Sequence, residues 1–349
     1  MYSPQIFDSS NPNHSIEVNN LRSNGIDVLD SINSQLLELM LCRNPSKSKT
    51  EVLEGRLVES FLEEKGKTIE KYGNWVYYPW KNQLIHILPE EEFVEVRTNR
   101  NKFKITQEEQ EILRSKKIGI AGLSVGRSIA ITIALERIAG EIRLADFDNI
   151  ELSNLNRIKA PLSEIGLNKA VAAAREIAEI DPYIKVLCFE DGLTEINLEE
   201  FFTISGNVDL FIEECDDVKI KILSRLKCKK LQIPVLMETN DNCVIDIERF
   251  DLEPERPIFH GKLNSEDIKQ GINAVTIHEK IAVISKIIDI ENLSDRMKTS
   301  LLEISRSTRS WPQLASEVEY GGGIVNKIAR EIFLGFRQQS IQENGHKLF

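Results

Sequence analysis

The chain has 349 residues, enough to bury a large hydrophobic core as one α/β unit or as two smaller domains. Its 44 Lys and Arg residues against 55 Asp and Glu residues give a formal net charge of −11, which excludes general attraction to a nucleic acid or an anionic membrane. A polyanionic ligand must therefore meet a local basic site. The opening MYSPQIFDSSNPNHSIEV lacks a basic region followed by an apolar core, and no apolar run reaches membrane-spanning length. We therefore expect a soluble, cytoplasmic protein.

Residues 1–95 predict an α+β extension of unknown role. The first 25 or so residues are rich in Asn and Ser, which is typical of a poorly ordered terminus. The apolar spacing from Val28 to Leu41 is helical, and NWVYYPWKNQLIHILPE holds two apolar runs around Lys81 that predict a β-hairpin. The composition then becomes charged, so we place a domain boundary near residue 95.

Residues 96–349 predict a doubly wound α/β domain with its nucleotide-binding core at about 117–250. Thr106 is a candidate N-cap of an opening helix, with Glu109 three residues on as its capping-box partner. Short apolar strands alternating with helices indicate a mostly parallel, Rossmann-like sheet with helices on both faces. A mostly helical tail, interrupted by SRSWPQLASEVEYGGG, occupies 251–349. The predicted strands are KIGIAGL, EIRLADFD, IKVLCFE, VDLFIEE and IPVLMET, and the helices are SIAITIALERIAG (closed by Gly140), KAVAAAREIAEI and DVKIKILSRLKCKKL.

The cysteines form neither a disulfide framework nor a four-cysteine zinc site. Their number is odd and no Cys-x-x-Cys pair occurs, so we interpret most of them as buried small hydrophobic residues. They are Cys42, Cys188, Cys215, Cys228 and Cys243.

The turn after the first strand of the core is a candidate phosphate-binding turn. Gly122 and Gly126 allow a tight turn and close backbone approach, but Ser124 and Arg127 stand where the second and third glycines of G-x-G-x-x-G belong. A tight turn without a ligand stays open as an alternative. Asp146, 24 residues past Gly122, ends the second strand, where an acidic side chain accepts hydrogen bonds from ribose hydroxyls.

The segment after Asp146 carries charges that favour a reacting nucleotide over a redox cofactor. Asp148, Asn154, Arg157 and Lys169 follow the ribose position, and two cations with an amide suit a triphosphate better than a nicotinamide ring. Ordinary surface charges are the alternative. At the end of the fourth strand, Asp216 and Asp217 are candidates to hold Mg²⁺, although an Asp at that point also caps a helix.

From about Arg97 to Phe250 the chain resembles the ThiF/MoeB/HesA family, bacterial relatives of ubiquitin-activating enzymes. The resemblance rests on the order of RTNR, GLSVGR, DFDNIELSNLNR, GLNK and CDDVKIK. It implies adenylation of a carboxylate at the C-terminus of a ubiquitin-like carrier protein or peptide, with ATP as substrate, Mg²⁺ as metal and a homodimer as assembly. By position it implies that Gly122, Ser124 and Gly126 form the turn and that Asp146 binds ribose. It further implies that Asn154, Arg157 and Lys169 hold the phosphates, that Asp216 binds Mg²⁺ and helps to position the adenylate, and that Arg100 reaches into the partner's site, with Arg97 a second candidate. Asp148 is a further candidate nucleotide-binding residue.

The chain departs from the family pattern in three places. Arg127 either adds a phosphate ligand or crowds the pocket, and the family's structural zinc is not expected because both Cys-x-x-Cys pairs are missing. The loop DLEPERPIFHGKLNSEDIKQ has no cysteine for a thioester, and Cys243, in CVIDIERF, is better suited to a strand position facing the core.

The flanks WVYYPWKNQLIHILPE and SRSWPQLASEVEYGGG resemble segments of fusion proteins in which a ThiF-like half is joined to a flavin nitroreductase-like half. This resemblance implies a nitroreductase-like protein as a partner or as a further domain. Two other functions stay open: a catalytically silent nucleotide- or peptide-binding module and, more remotely, an NAD-dependent oxidoreductase. The sequence does not name the acceptor, which is a ubiquitin-like sulfur carrier, a ribosomally made peptide or a small molecule.

Overall fold

The computed structural model describes residues 1–239, 241, 243–288, 293–304 and 306–344, and the chain divides into two compact units. The first comprises Met1–Glu108 together with Ala178–Tyr183, and the second comprises Glu109–Ile177 and the chain from Ile184 onward. Within the described ranges, no helix combines the length and apolar character needed to cross a membrane.

A four-stranded sheet organises the first unit, in the order β1-β3-β4-β2. The predicted hairpin is confirmed: β3 and β4 pair antiparallel with Tyr78 opposite Gln83. β2 pairs parallel with β4, and β1 pairs antiparallel with β3. The strands are β1 (Gln5–Asp8), β2 (Asp27–Asp30), β3 (Asn74–Tyr78) and β4 (Gln83–Ile87).

Helices surround this sheet, and two predictions for the N-terminal region were wrong. The terminus is ordered because Phe7 pairs with Trp75 across the sheet, and because Asn11 caps a helix that begins with Pro12. Val28 and Leu29 lie in β2, so the helix predicted from Val28 begins only at Ile32. The helices are α1 (Pro12–Ser23), α2 (Ile32–Arg43), α3 (Lys49–Glu54), α4 (Leu57–Glu64) and α5 (Glu90–Arg97), with 3₁₀ turns at Ile69–Lys71 and Asn99–Asn101.

The first unit continues past residue 95 because α5 belongs to its core. Phe93 and Val96 pack against the cluster that contains Leu36 and Leu39 of α2. Burial of such apolar side chains is the main stabilising contribution to a helix contact. The N-terminal segment of the unit therefore continues past the boundary expected from composition, to Glu108, and the unit also includes Ala178–Tyr183.

A seven-stranded sheet forms the second unit, in the order β11-β10-β9-β8-β5-β6-β7. The five strands β5 to β9 are parallel, which confirms the predicted doubly wound sheet, and β10 and β11 add antiparallel pairs at one edge. The strands are β5 (Lys117–Ala121), β6 (Glu141–Ala145), β7 (Lys185–Phe189), β8 (Leu210–Glu213), β9 (Val235–Thr239), β10 (Val244–Glu248) and β11 (Ile341–Asn344).

The helices of the predicted core are present with one changed boundary. α7 ends at Glu136 because Arg137 adopts the left-handed conformation that closes it, so Gly140 is not its terminator. Gly140 is instead a close-approach position, since a Cβ there would lie 2.1 Å from the Arg114 carbonyl oxygen. The helices are α6 (Gln107–Arg114), α7 (Gly126–Glu136), α8 (Lys169–Ile180), α9 (Leu198–Thr203), α10 (Val218–Leu231), α11 (Ser265–Asn273), α12 (Ile277–Ile287), α13 (Asp295–Glu303) and α14 (Ala315–Phe333), with 3₁₀ turns at Leu152–Asn156, Leu162–Glu164 and Ile258–Gly261.

The long helix α14 contains the glycine triplet that we predicted to interrupt the helical tail. The prediction was wrong because small residues are needed where α14 packs against neighbouring side chains. A Cβ at Gly321 would lie 2.7 Å from the carboxyl carbon of Glu238, and one at Gly322 would lie 2.7 Å from Ser128 Oγ. Burial of Val325 and Ile328 on the same helix compensates for the low helix propensity of glycine.

We expect Gly140→Ala to lower the free energy of unfolding by about 1–3 kcal/mol, because the new methyl group meets a backbone carbonyl that cannot rotate away. Gly323→Ala is the matched control: a Cβ there meets nothing within 4 Å, so the helix gains about 1 kcal/mol from propensity alone. Thermal and urea unfolding of both variants measures the difference. Equal effects of the two substitutions would contradict the close approach at Gly140.

Candidate active site

The turn between β5 and α7 lies at the carboxyl edge of the parallel strands, where doubly wound proteins bind their ligands. Gly122 has φ +87°, and a Cβ there would lie 2.4 Å from the carbonyl oxygen of Glu214. Its N–H donates to the Ala145 carbonyl at 2.9 Å, so the turn is attached to β6 as well. Gly122 is therefore required by both the conformation and the contact with the end of β8.

Asp146 connects the end of β6 to this turn. Its Oδ2 accepts the Leu123 N–H at 2.6 Å and its Oδ1 accepts the Asp148 N–H at 2.8 Å. Burial raises the pKa of this carboxyl, and the charge of Lys169 opposes the rise. Each carboxylate oxygen keeps a second lone pair, which is what a ribose hydroxyl would need.

The loop from Asp146 to Lys169 folds back on itself and brings its two ends together. Ile150 N–H donates to Leu167 O at 2.8 Å, and Lys169 N–H donates to Asp148 O at 2.9 Å. The buried Lys169 ammonium then donates to Asp148 Oδ2 at 2.8 Å. Lys169, predicted from its position in GLNK, therefore lies beside the ribose-binding candidate Asp146.

Asn154 and Arg157 lie in the middle of this loop. Asn154 is buried, and its Oδ1 accepts the Glu151 N–H at 3.0 Å, so one half of its amide holds the 3₁₀ turn. Arg157 Nε donates to Ser124 Oγ at 2.9 Å and Nη1 donates to Asn156 Oδ1 at 3.0 Å. Nη2 has no acceptor in the described ranges and is free to meet an anionic oxygen.

The two aspartates after β8 have different environments. Asp217 caps α10, because its Oδ1 accepts the Ile220 N–H at 3.0 Å, and it pairs with Lys280 at 3.3 Å. Asp216 makes no hydrogen bond or ion pair with the described residues and keeps an exposed carboxylate. Surrounding protein raises the pKa of Asp216, and so does Glu213, while Lys221 and Lys169 oppose the rise. Desolvation lowers the pKa of Arg157, and the charge of Asp216 raises it.

The donor set fits a magnesium ion that is held mainly by phosphate. Within the described ranges, no three His, Cys, Asp or Glu side chains gather as metal ligands. Mg²⁺ in nucleotide sites commonly takes one or two carboxylates, with phosphate oxygens and water completing its octahedron. Asp148 at this edge is paired with Lys169, whereas the exposed Asp216 side chain has no partner among the described residues and would supply such a ligand.

Two other sequence candidates, Arg127 and Cys243, have structural roles instead. Arg127 points away from the turn: Nη2 donates to Glu176 Oε2 at 2.8 Å and to Glu164 Oε2 at 3.2 Å. It therefore neither crowds the pocket nor offers its charge to a phosphate. Cys243 is buried just before β10, and burial followed by the charge of Glu238 raises the pKa of its thiol, which disfavours the thiolate needed for a thioester.

The two arginines of RTNR, both in the first unit, differ in whether their charge is paired within the protein. Arg97 donates from Nη1 to the fully buried Asp181 at 2.9 Å, so its charge is already used. Arg100 lies in the 3₁₀ turn Asn99–Asn101, is exposed, and has no ion-pair partner in the described ranges.

The sequence interpretation missed a buried charge network behind Asp216. Arg225 donates from Nη1 to Glu213 Oε2 and from Nε to Glu248 Oε2, both at 2.6 Å. Burial alone would raise the pKa of Glu213, but Lys221 and Arg225 lower it to about 2. Glu213 Oε1 also accepts the Cys215 N–H at 2.9 Å, which fixes the backbone that leads to Asp216. Lys221 and Arg225, four residues apart on one face of a predicted helix, were the available signal.

Two further carboxyl groups, Glu214 and Glu238, lie together behind the turn. Glu214 Oε1 accepts the Glu238 N–H at 2.9 Å, and neither oxygen of the Glu238 carboxyl has a hydrogen-bond partner among the described residues. Burial raises the pKa of Glu238 to about 8, and the charge of Glu317 adds to the rise. Sequence reasoning could not find this pair because Glu214 follows β8 and Glu238 lies in β9.

The shifted pKa of Glu238 predicts a pH-dependent stability. A carboxyl whose pKa is raised on folding stabilises the fold fully below its unfolded pKa, and that contribution is lost as pH rises towards about 8. We expect Glu238→Gln, which stays neutral, to unfold at a higher temperature than the wild type at pH 8 and at a similar temperature near pH ~4.5. Thermal unfolding across this range measures it. Parallel pH profiles of the two proteins would show that Glu238 does not titrate in this window.

Loss of the Asp146 carboxylate should release the turn. Asp146→Ala removes two acceptors of backbone N–H groups, each worth about 1.5–3 kcal/mol to a charged acceptor, so we expect nucleotide affinity to fall by at least about 100-fold. Asp209→Ala is the matched control, because Asp209 Oδ2 also accepts a backbone N–H, that of Lys117 at 2.8 Å, at the opposite edge of the sheet. Isothermal titration with ATP should separate the two, and equal losses would point to general destabilisation.

Comparison with known proteins places this geometry in a family. The ThiF family model matches residues 98–290, more than half of the chain. An uncharacterized protein of Mycobacterium tuberculosis (strain CDC 1551 / Oshkosh) is 42% identical over 267 residues, which are 76% of this chain but 37% of that relative's length. The chain thus spans little more than a third of that relative.

Two further proteins are similar over nearly their whole length. The tRNA threonylcarbamoyladenosine dehydratase of Bacillus subtilis (strain 168) is 26% identical over 243 residues, 67% of this chain and 95% of the relative. The crystal structure of E. coli tRNA N6-threonylcarbamoyladenosine dehydratase in complex with AMP has a TM-score of 0.50 and 20% identity, and covers 69% of this chain and 95% of that chain. At that identity the likeness shows the fold. The matched segment, the doubly wound sheet and the edge built around Gly122 and Asp146 identify the chain as a member of the ThiF family.

Proposed function

We propose that this protein uses ATP to adenylate a carboxylate, with release of pyrophosphate. The observation that carries the proposal is the convergence of Arg157, Lys169 and Asp216 on the edge that holds the Gly122 turn and Asp146. Membership in the ThiF family supports it, as does AMP in the related E. coli dehydratase.

The residues suggest how the reaction would proceed. An oxygen of the acceptor carboxylate attacks the α-phosphorus of ATP, and the bond from that phosphorus to the oxygen bridging to the β-phosphate breaks. Pyrophosphate leaves with the bonding electron pair, and the acceptor retains AMP as a mixed anhydride. A carboxylate is ionised at neutral pH, so no general base is required.

The protein's contribution is to position the reactants and stabilise charge. Asp146 would hold the ribose, while Arg157 Nη2 and the Lys169 ammonium would face the phosphates. Bound Mg²⁺, with Asp216 as its protein ligand, would supply further compensation of phosphate charge. The low solvent access of Lys169 strengthens its interaction with an anion.

We propose that the acceptor is the C-terminal carboxylate of a ubiquitin-like carrier or a peptide. An acceptor attached to tRNA, suggested by the name of the Bacillus subtilis relative, is the alternative. The net charge of −11 disfavours a polyanion that contacts the whole surface. We also propose that Arg100 of a second copy completes the site, which is consistent with its exposure and its lack of an ion-pair partner in the described ranges.

Neighbouring aspartates provide the test of the reaction. We expect Asp216→Ala to lower Mg²⁺-dependent ATP–pyrophosphate exchange by at least about 100-fold, because it removes a charge at the reacting phosphates. Asp217→Ala is the matched control: it removes a helix cap worth about 1 kcal/mol and should leave exchange within about three-fold of wild type. Exchange is measured with each candidate acceptor. Full exchange by Asp216→Ala would remove this residue from the mechanism.

The same assay separates the rival functions. Exchange that requires a carrier protein or peptide supports the proposed acceptor, and exchange that requires tRNA supports the alternative. Tight ATP binding without exchange for any acceptor would identify a catalytically silent binding module.

A further inference from the structure

Ser124 stands where the glycine fingerprint has its second glycine. A second glycine normally lets the backbone approach a pyrophosphate, and a side chain there must be accommodated or used. Here the side chain is used, because Ser124 Oγ accepts the Arg157 Nε–H at 2.9 Å. A glycine could not make this contact.

The contact belongs to a closed ring of four side chains and one carbonyl. Arg157 Nη1 donates to Asn156 Oδ1 at 3.0 Å, and Asn156 Nδ2 donates to the Gln313 carbonyl at 2.8 Å. Gln313 Oε1 lies 3.4 Å from Ser124 Oγ and closes the ring. With its proton directed towards Gln313, the serine hydroxyl turns a lone pair towards the guanidinium.

The ring joins three segments that are distant in sequence. Gln313 precedes α14, and α14 packs on α7 through Gly322, whose Cα approaches Ser128. That packing carries the residues before α14 to the phosphate turn. Arg157 consequently has two of its three guanidinium nitrogens bound to the protein, and Nη2 remains free of acceptors in the described ranges.

We infer that Ser124 and Gln313 are positioning residues that hold Arg157 ready for the phosphates of ATP. An unrestrained arginine loses about 1.5–2 kcal/mol of side-chain entropy when it is ordered by a ligand, and prior ordering by the ring removes much of that cost. Because the ring binds Nε and Nη1, Arg157 can contact a phosphate only through Nη2. The position of this nitrogen therefore matters more for binding than the two-pronged geometry of the guanidinium group. The inference deepens the proposed adenylation and rests on it for the identity of the reaction.

The decisive experiment compares substitutions at Ser124 in the full chain. We expect Ser124→Ala and Ser124→Gly each to raise KM for ATP in ATP–pyrophosphate exchange about ten-fold with kcat changed less than about three-fold, although the glycine variant restores the second glycine of the fingerprint. Ser124→Thr, which keeps the hydroxyl, should recover activity to within about three-fold of wild type. Gln313→Ala should show the same split as Ser124→Ala, with a smaller loss because its contact is longer.

Two controls separate positioning from a merely structural effect. Ser128→Ala removes a hydroxyl of α7, next to the turn, that contacts Glu319 and not Arg157, and it should leave exchange unchanged. In an Arg157→Ala background, Ser124→Ala should cost nothing further, because the group it positions is gone. Additive losses in this double-mutant cycle, or a Ser124→Gly variant as active as the wild type, would overturn the inference.

The inference and the proposed function fail in different ways. If no acceptor supports exchange but ATP binds, the same cycle is measured on the dissociation constant for ATP by calorimetry. Non-additive losses of affinity would then support the positioning role of the ring while contradicting the proposed reaction. Additive losses would contradict both the positioning role and the reaction. A chain that does not bind ATP would remove both as well.

Discussion

The structure of the site depends on one close contact, the approach of Gly122 to the peptide between Glu214 and Cys215. A Cβ at Gly122 would lie 2.4 Å from the Glu214 carbonyl oxygen, so only glycine allows the β5 turn to rest on the end of β8. The same turn is attached to β6 through the Ala145 carbonyl and through Asp146. The ends of three neighbouring strands are thereby held together, and the loops that leave them carry the candidate site residues to one edge of the sheet.

Charge pairing then separates the ionic groups that maintain the fold from those left for a ligand. Arg225, Glu213 and Glu248 are fully buried and satisfy one another, an arrangement in which loss of one partner costs far more than the network contributes. Arg127 is paired with Glu164 and Glu176, and Asp217 is used as a helix cap. Among the described residues at this edge, Arg157 Nη2 and the exposed Asp216 side chain are left without a protein partner, and Lys169, paired with Asp148, is the further candidate to meet a phosphate. The pairing of the surrounding charged side chains therefore determines which groups of the candidate site are available to a ligand.

The C-terminal part of the chain contacts the candidate nucleotide-binding edge directly. The segment SRSWPQLASEVEYGGG was interpreted as an interruption, yet Ala315 onward is the start of α14 and Gln313 contacts the phosphate turn. Glycine is a poor helix former in isolation, so local propensity argued against a helix here. Close packing on Ser128 and Glu238 reverses that preference, because only small residues fit at the crossing. Tertiary contact, not local sequence, makes this region part of the site.

Local patterns in the sequence determined the doubly wound sheet, the hairpin and the order of the candidate site residues. Apolar runs of strand length, periodic helices and glycines at a turn depend on neighbours within a few residues, so they can be recognised without the fold. The tertiary structure alone decided which charges are available: it paired Arg97 with Asp181, turned Arg127 away, assigned the cap to Asp217 and left Asp216 exposed. It also ordered the N-terminal strand, by pairing Phe7 with Trp75, and brought Gln313 to Ser124. These outcomes depend on partners up to 189 positions apart, whose proximity is created by the packing of strands and helices and is not encoded in any local pattern.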